Sequence, residues 1–419
     1  MDVTGLKRDA CAAIDAMAGE LLSVSHDIHA NPELNFAERF AAKRLGAAVT
    51  AHGLPLVESA YFLETAFMSE FGRPEPQPTI AILSEYDALP GIGHACGHNI
   101  IASAGLGAIL GLSKLQERLP GRIRYLGTPA EEGGGGKELM AQAGAFEGLD
   151  AAMMVHPSSV ELVTMPCLAL SNLWVTYHGL SAHASAMPHR GINALDALVA
   201  AYQAIAALRQ HIKPTERIHG IITDGGQAPN IVPEKASGYF LVRAHDARDL
   251  AALKKRVQGC FEAGAAATGA RLEMSWGKVD YLDLKTSWPM AHAYKRNAEA
   301  LGRSFLPLEK LPPGLAGSTD MGNISYRVPS IHPMIAVAPP DVVIHNPEFT
   351  AWAKSDRGDK AVIDGAKAMA MTALDLLCDD ALRGQTRAEF EASGQDSRAV
   401  ANAAFHTDGR LATAGCGCC

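Results

Sequence analysis

Two carboxylates stand side by side at Glu131 and Glu132, ahead of four glycines at 133–136. Adjacent side chains cannot share a direction, so one can hold a metal while its neighbour faces a bound water. A glutamate beside such a water is suited to act as the general base of a hydrolysis. The glycines let a ligand approach the backbone and would place helix N–H groups nearby. Upstream, Cys96 and His98 alternate in the glycine-rich stretch 91–99. A thiolate and an imidazole two apart can point at one centre from such a loop. Two further histidines, His156 and His345, close apolar runs at 153–155 and 342–344. Each of these residues alone is compatible with an ordinary hydrogen-bonded side chain. Together they place acids, imidazoles and one thiol at predicted strand ends on one sheet edge, which points to metal-assisted hydrolysis.

The elements that must carry them follow from periodicity. Residues 1–50 read mostly as helix, broken at Asn31-Pro32. Residues 79–83 form a β-type run between Pro78 and the polar Ser84-Glu85, 99–116 a buried helix, 122–126 an alternating strand and 138–145 a helix. That alternation indicates an α/β fold with a mostly parallel sheet and flanking helices. Near 170 the character changes. Strands at 173–177, 219–222, 238–242 and 271–276, with helices at 193–210 and 250–268, run in the order β-α-β-β-α-β. This is the ferredoxin-like α+β unit, here a complete domain inserted at 171–284. The expected catalytic domain is therefore split between 1–170 and 285–383, ending in the helix 360–378. Residues 384–419 are polar and Ala-rich without sustained periodicity and read as a flexible tail. Its final Ala-Gly-Cys-Gly-Cys-Cys does not match a prenylation signature.

Composition narrows the class. With 419 residues, 48% hydrophobic and 20% charged, the chain is globular and long enough for two domains. A net charge of −8 argues against nucleic acid or an anionic membrane as partner. The first 22 residues include Asp2, Lys7, Arg8, Asp9, Asp15 and Glu20, which suit an amphipathic helix and not a signal peptide. The longest apolar stretch, about 100–112, is too short to span a bilayer. Cysteines 11, 96, 167, 260 and 378 are scattered and suggest no disulfide framework. The expectation is a soluble, cytoplasmic protein.

Longer motifs carry a resemblance. They are His29-Ala30-Asn31-Pro32-Glu33-Leu34, Glu85-Tyr86-Asp87-Ala88-Leu89-Pro90, His94-Ala95-Cys96-Gly97-His98-Asn99 and Glu131-Glu132-Gly133-Gly134. Further along come Gly179-Leu180-Ser181-Ala182-His183-Ala184, Pro229-Asn230-Ile231-Val232-Pro233, Gly317-Ser318-Thr319-Asp320-Met321-Gly322-Asn323 and His345. In order and spacing, from about 29 to 375, the chain resembles the di-metal aminoacylase and carboxypeptidase family, the M20 metallopeptidases. Within it, the branch of β-alanyl-lysine-type dipeptidases and p-aminobenzoyl-glutamate hydrolase is the most similar. Glu85 stands where an Asp is usual, and Asn99 where many relatives carry Asp; both suit that branch.

The resemblance implies roles. Cys96 would be shared by two divalent metal ions, with His98 and Glu132 completing one site and His156 and His345 the other. Glu131 would be the general base and Asp87 would orient a ligand. His183, from the inserted lid and dimerisation domain of a partner subunit, would polarise the scissile carbonyl. Asn230 and Arg243 would hold a substrate carboxylate. The Cys96 thiolate argues for zinc, with manganese or cobalt left open by the other donors. The implied activity is hydrolysis of a dipeptide or N-acyl amino acid with a free carboxylate, by a homodimer. The alternatives are an aryl- or acyl-amino-acid deacylase and, in another class, a non-catalytic metal-binding protein.

Overall fold

A computed structural model describes residues 2–74, 77–311, 316–393 and 397–412. The chain divides into two compact units, the first formed by Met1–Pro166 and Leu284–Asn402, the second by Cys167–Asp283 and Ala403–Ala412.

The first unit opens with helices α1 (Val3–Ala16), α2 (Ala18–Ala30) and α3 (Arg39–Ala51). Strands β1 (Val57–Glu58), β2 (Phe67–Gly72) and β3 (Thr79–Ser84) follow, then α4 (His98–Ser113), β4 (Arg122–Gly127), α5 (Gly136–Gln142), β5 (Ala151–Met153) and β6 (His156–Ser158). Every residue of β3 is buried, as expected of a strand covered on both faces of a parallel sheet. Helix α4 is buried along all of His98–Leu112. Its interior glycines make that possible: a Cβ at Gly107 would meet Leu21 Cδ1 at 2.8 Å and Ala366 Cβ at 2.9 Å.

The chain then builds the second unit from β7 (Ala169–His178), α6 (Ala194–Leu208), β8 (Arg217–Asp224), β9 (Lys235–Ala244), α7 (Ala247–Thr268) and β10 (Arg271–Trp276). The sheet order is β10-β7-β9-β8 and every pairing is antiparallel. Asn193 caps α6 by accepting from the Leu195 and Asp196 N–H groups, and Asp246 caps α7 through Asp249 N–H. Apolar faces of both helices meet the sheet, with the Phe240 and Phe261 rings edge to face at 4.9 Å.

Back in the first unit come α8 (Trp288–Ala300), α9 (Met321–Ser325), β11 (Ser330–Ile331), β12 (Met334–Ala336), α10 (Pro347–Trp352), α11 (Asp356–Cys378), α12 (Asp380–Ala392) and α13 (Ser397–Ala403). The main sheet has the order β1-β2-β4-β3-β5-β11. Its β4, β3, β5 and β11 pair in parallel, and β2 runs against them, pairing antiparallel with both β4 and β1. A separate parallel pair joins β12 to β6. This is the mixed α/β architecture, with a mostly parallel sheet, that the periodicity predicts.

Order continues past 384, where the sequence suggests a tail. Asp379 caps α12 by accepting from Ala381 and Leu382 N–H, and Glu389 accepts from Trp288 N–H at 2.9 Å. Residues 403–412 belong to the second unit, where His406 Nε2 lies 3.1 Å from Asp280 Oδ2 and Lys278 N–H donates to Arg410 O. Polar composition concealed these contacts because capping and ion pairs, not apolar periodicity, hold the segment. The terminal cysteines 416, 418 and 419 lie outside the described residues. Among the described residues, no helix is long and apolar enough to cross a membrane.

Leu110, fully buried on α4 in the main core, tests this packing. Leu110→Ala should cost about 2–5 kcal/mol, read as a lower urea midpoint for the first unit; an unchanged midpoint contradicts the packing.

Candidate metal centre

The carboxyl ends of the parallel strands converge on one group of polar side chains, the usual place for a ligand in such sheets. Strand β3 ends at Ser84 and delivers Glu85 and Asp87; β4 ends at Gly127 and leads into the turn bearing Glu131 and Glu132. Gly97 stands at the start of α4 with φ +76°, and a Cβ there would meet Pro157 side-chain atoms at 2.9 Å. A glycine is required on both counts, and its close approach seats Cys96 against β6. Cys96 Sγ consequently lies 3.3 Å from His156 Nε2. The His345 N–H donates to Ala95 O at 2.9 Å, which ties the later histidine to the same loop.

Asp87 organises the centre from behind. Its Oδ1 lies 3.0 Å from His98 Nδ1, and its Oδ2 accepts the Glu132 N–H at 2.9 Å. One carboxylate thus fixes an imidazole and the backbone of a second acid. His98 Nε2 then faces Glu85 Oε1 at 3.3 Å and Glu132 Oε1 at 3.8 Å. His345 Nε2 lies 3.5 Å from Glu132 Oε1. The His156 Nδ1 is 2.7 Å from Pro157 O, so that nitrogen carries the proton and Nε2 presents its lone pair.

Three sets of donor atoms lie within 4.8 Å of one another: Cys96, His98 and His156; Cys96, Glu132 and His345; and Glu85, His98 and Glu131. Cys96 is common to the first two. His98 Nε2 also lies 3.8 Å from Glu132 Oε1, the pairing drawn from the resemblance. Asp87 fixes the turn of the His98 ring, and the Gly97–Pro157 contact brings His156 onto the thiol.

Charge explains what the cluster is fit to hold. Glu85, Asp87, Glu131 and Glu132 are all at most 1% exposed. Burial alone would lower the His98 pKa, but the surrounding Glu85, Asp87 and Glu132 carboxylates hold it up to about 10. His156, by contrast, is pushed down to about 4, first by burial and then by repulsion from His98. Both carboxylate oxygens of Glu132 and the His98 Nε2 are buried with no hydrogen-bond partner among the described residues. Buried carboxylate oxygens in that condition are costly unless a cation meets them. The mixed sulfur, nitrogen and oxygen donors therefore fit two divalent metal ions, with the thiolate as the shared ligand.

The remaining expected residues belong to the second unit. Ala184 N–H donates to Asn230 O at 3.0 Å, which brings the His183 and Asn230 loops together, and both residues are exposed. His183 Nδ1 accepts from Ser185 and Ala186 N–H at 3.4 and 3.2 Å, which places the ring proton on Nε2 as an outward donor. Arg243 is half-buried on β9, opposite Leu170 and Arg217.

Three residues beside the metal cluster escape a reading by motif. Lys137 is fully buried, with its Nζ 2.5 Å from Glu85 Oε2 and 2.7 Å from Asp320 Oδ1. Lys137 closes the four-glycine run and Asp320 sits in a quoted motif, so both are visible in the sequence without their partners. His332, also fully buried, packs its ring on His156 at 5.3 Å between centroids. An isolated histidine after a short strand carries no signal of that contact.

The model of the peptidase dimerisation domain matches residues 170–268. The mouse Xaa-Arg dipeptidase is 39% identical over 416 residues, covering 95% of both chains. One of the subunits of the Escherichia coli p-aminobenzoyl-glutamate hydrolase is 27% identical over 454 residues, covering 90% of this chain and 93% of its own. A crystal structure from Bacillus subtilis, described as a dinuclear metal binding peptidase from the M20 family, superposes with a TM-score of 0.66 at 22% identity. It covers 87% of this chain and 99% of its own.

Asp87→Asn keeps the shape but removes the charge that orients His98. It should weaken metal binding by about 10–100-fold in a competition titration; wild-type affinity would show that Asp87 does not act through the ligands.

Proposed function

The chain belongs to the M20 metallopeptidase family, and from that membership we propose that it cleaves dipeptides with a basic carboxyl-terminal residue. It is a metal-dependent hydrolase of peptide or amide bonds. The observation that carries the reading is the buried convergence of Cys96, His98, Glu132, His156 and His345, with Glu131 beside them. The basic specificity is supported by the 39% identical Xaa-Arg dipeptidase. A second reading, an aryl-glutamate or acyl-amino-acid amide as substrate, is favoured by the p-aminobenzoyl-glutamate hydrolase relative.

In this reading Cys96 would be shared by two divalent ions, with His98, Glu132, His156 and His345 completing the two sites. When bound, such ions polarise the scissile carbonyl and make water a competent nucleophile at neutral pH. Glu131 takes a proton from the attacking water and returns it to the leaving nitrogen. Asp87 keeps His98 in the tautomer that presents Nε2 forward. His183 donates from Nε2–H to the developing oxyanion in the site of a second copy of the chain. Asn230 and Arg243 receive the substrate carboxylate, the guanidinium through paired hydrogen bonds. The thiolate favours zinc, with manganese or cobalt as alternatives.

The homodimer that this arrangement requires is supported by the matched dimerisation domain. Strand β8 also ends the second sheet as an edge, with Ile221 and Ile222 exposed on it. An edge of that kind is a template for pairing with a second chain. A cytoplasmic setting agrees with the scattered cysteines.

Glu131→Gln should lower turnover by about 10²–10⁴-fold with two metal ions still bound; retained turnover contradicts its role as base. Substrate choice is tested on dipeptides ending in Arg or Lys, aryl-glutamates and N-acyl amino acids, each as free acid and as amide. The proposal expects hydrolysis of Xaa-Arg and Xaa-Lys free acids. Hydrolysis of aryl-glutamates alone would establish the second reading, and equal cleavage of acids and amides would remove Asn230 and Arg243 from carboxylate binding.

A further inference from the structure

A fully buried lysine needs a reason. Lys137 is 0% exposed and bonds two carboxylates, Glu85 and Asp320, that are equally buried. Asp320 also accepts the Lys137 backbone N–H through Oδ2 at 2.9 Å. Asp320 therefore fixes the lysine at both its backbone and its ammonium group. Removing charges from water in this way is expensive, and replacing such a network by apolar groups is often neutral or stabilising. The geometry gives a function to what would otherwise be a costly arrangement.

Glu85 has one oxygen committed and one open. Its Oε2 receives the Lys137 ammonium, while its Oε1 is buried with no hydrogen-bond partner among the described residues. That second oxygen faces His98 Nε2 at 3.3 Å, and Glu85, His98 and Glu131 form a donor set of their own. The lysine thus holds the Glu85 side chain in one orientation, with its other oxygen against His98 Nε2.

We propose that Glu85 is an additional metal-facing carboxylate at the His98 centre, aimed by Lys137 and, through it, by Asp320. The ligand is the divalent cation that His98 would hold, which gains one hard oxygen donor from Glu85. That donor makes this centre the more tolerant of manganese, since carboxylate suits manganese and thiolate suits zinc. Lys137 and Asp320 are positioning residues: neither touches the ion. The five-ligand set drawn from the resemblance does not include Glu85, and this network supplies the physical reason to add it.

The proposal rests on the two-metal reading of the site, and the test separates the two. Manganese and zinc affinities are measured by competition on metal-stripped wild type, Glu85→Gln and Glu85→Asp, with the thermal midpoint of each metal-free protein recorded in parallel. Glu85→Gln should weaken manganese at one of the two centres by about 10–100-fold, weaken zinc there less, and leave the other centre unchanged. Glu85→Asp, which keeps the charge but shortens its reach, should fall between. A lowered midpoint with wild-type affinity for both metals would mean a purely structural role and overturn the proposal. Wild type that takes up fewer than two ions would undo the two-metal reading itself, and the proposal with it. If the variants do not fold, a crystal structure of manganese-loaded wild type decides. Glu85 Oε1 in contact with the ion supports the proposal, and Oε1 turned away overturns it.

Discussion

Repulsion among buried acids is the constraint around which the first unit is organised. Glu85, Asp87, Glu131, Glu132 and Asp320 are all no more than 1% exposed, and the Cys96 thiol is buried among them. Charges at this depth persist only when they are paired or bound to a cation. Lys137 answers Glu85 and Asp320, and His98 answers Asp87. Glu132 is left with two oxygens that the described protein groups do not satisfy. Divalent cations supply what the protein withholds, and the rigidity of the fold keeps that deficit in one place.

The rigidity has identifiable sources. Strands β3 and β4 pair in parallel over six residues each, so the segments that follow them leave the sheet side by side. Behind them α4 is buried over nearly its whole length, with glycines where neighbouring helices press closest. His98 sits in the first turn of that helix and cannot swing without disturbing the core. The second unit follows a different plan, an antiparallel sheet with two helices, with His183 and Asn230 on exposed loops and Arg243 on strand β9. Such loops tolerate change more readily than strand ends do.

Much of this is legible in the sequence because it is local. The apolar run 79–83 before Ser84-Glu85 identifies a strand end, whereas the run 342–344 before His345 forms no strand, and the β-α-β-β-α-β order identifies the inserted fold. The orientation of His98 is not legible: it depends on one hydrogen bond to Asp87, which motif spacing does not encode. The Lys137–Asp320 pair is hidden for another reason: its members are 183 positions apart, and each alone looks like a polar residue next to glycines. The tail expected at 384–419 is described as far as 412, where caps and ion pairs hold it, whereas periodicity reports only apolar faces.

The central claim is that two cations at this cluster make the chain a hydrolase. Titrating a divalent metal into stripped protein, while following both ions bound and dipeptide hydrolysed, tests it most directly. The account predicts that full activity is reached only as the second ion per chain binds. Full hydrolysis by metal-free protein, or by protein saturated at a single ion, would contradict it.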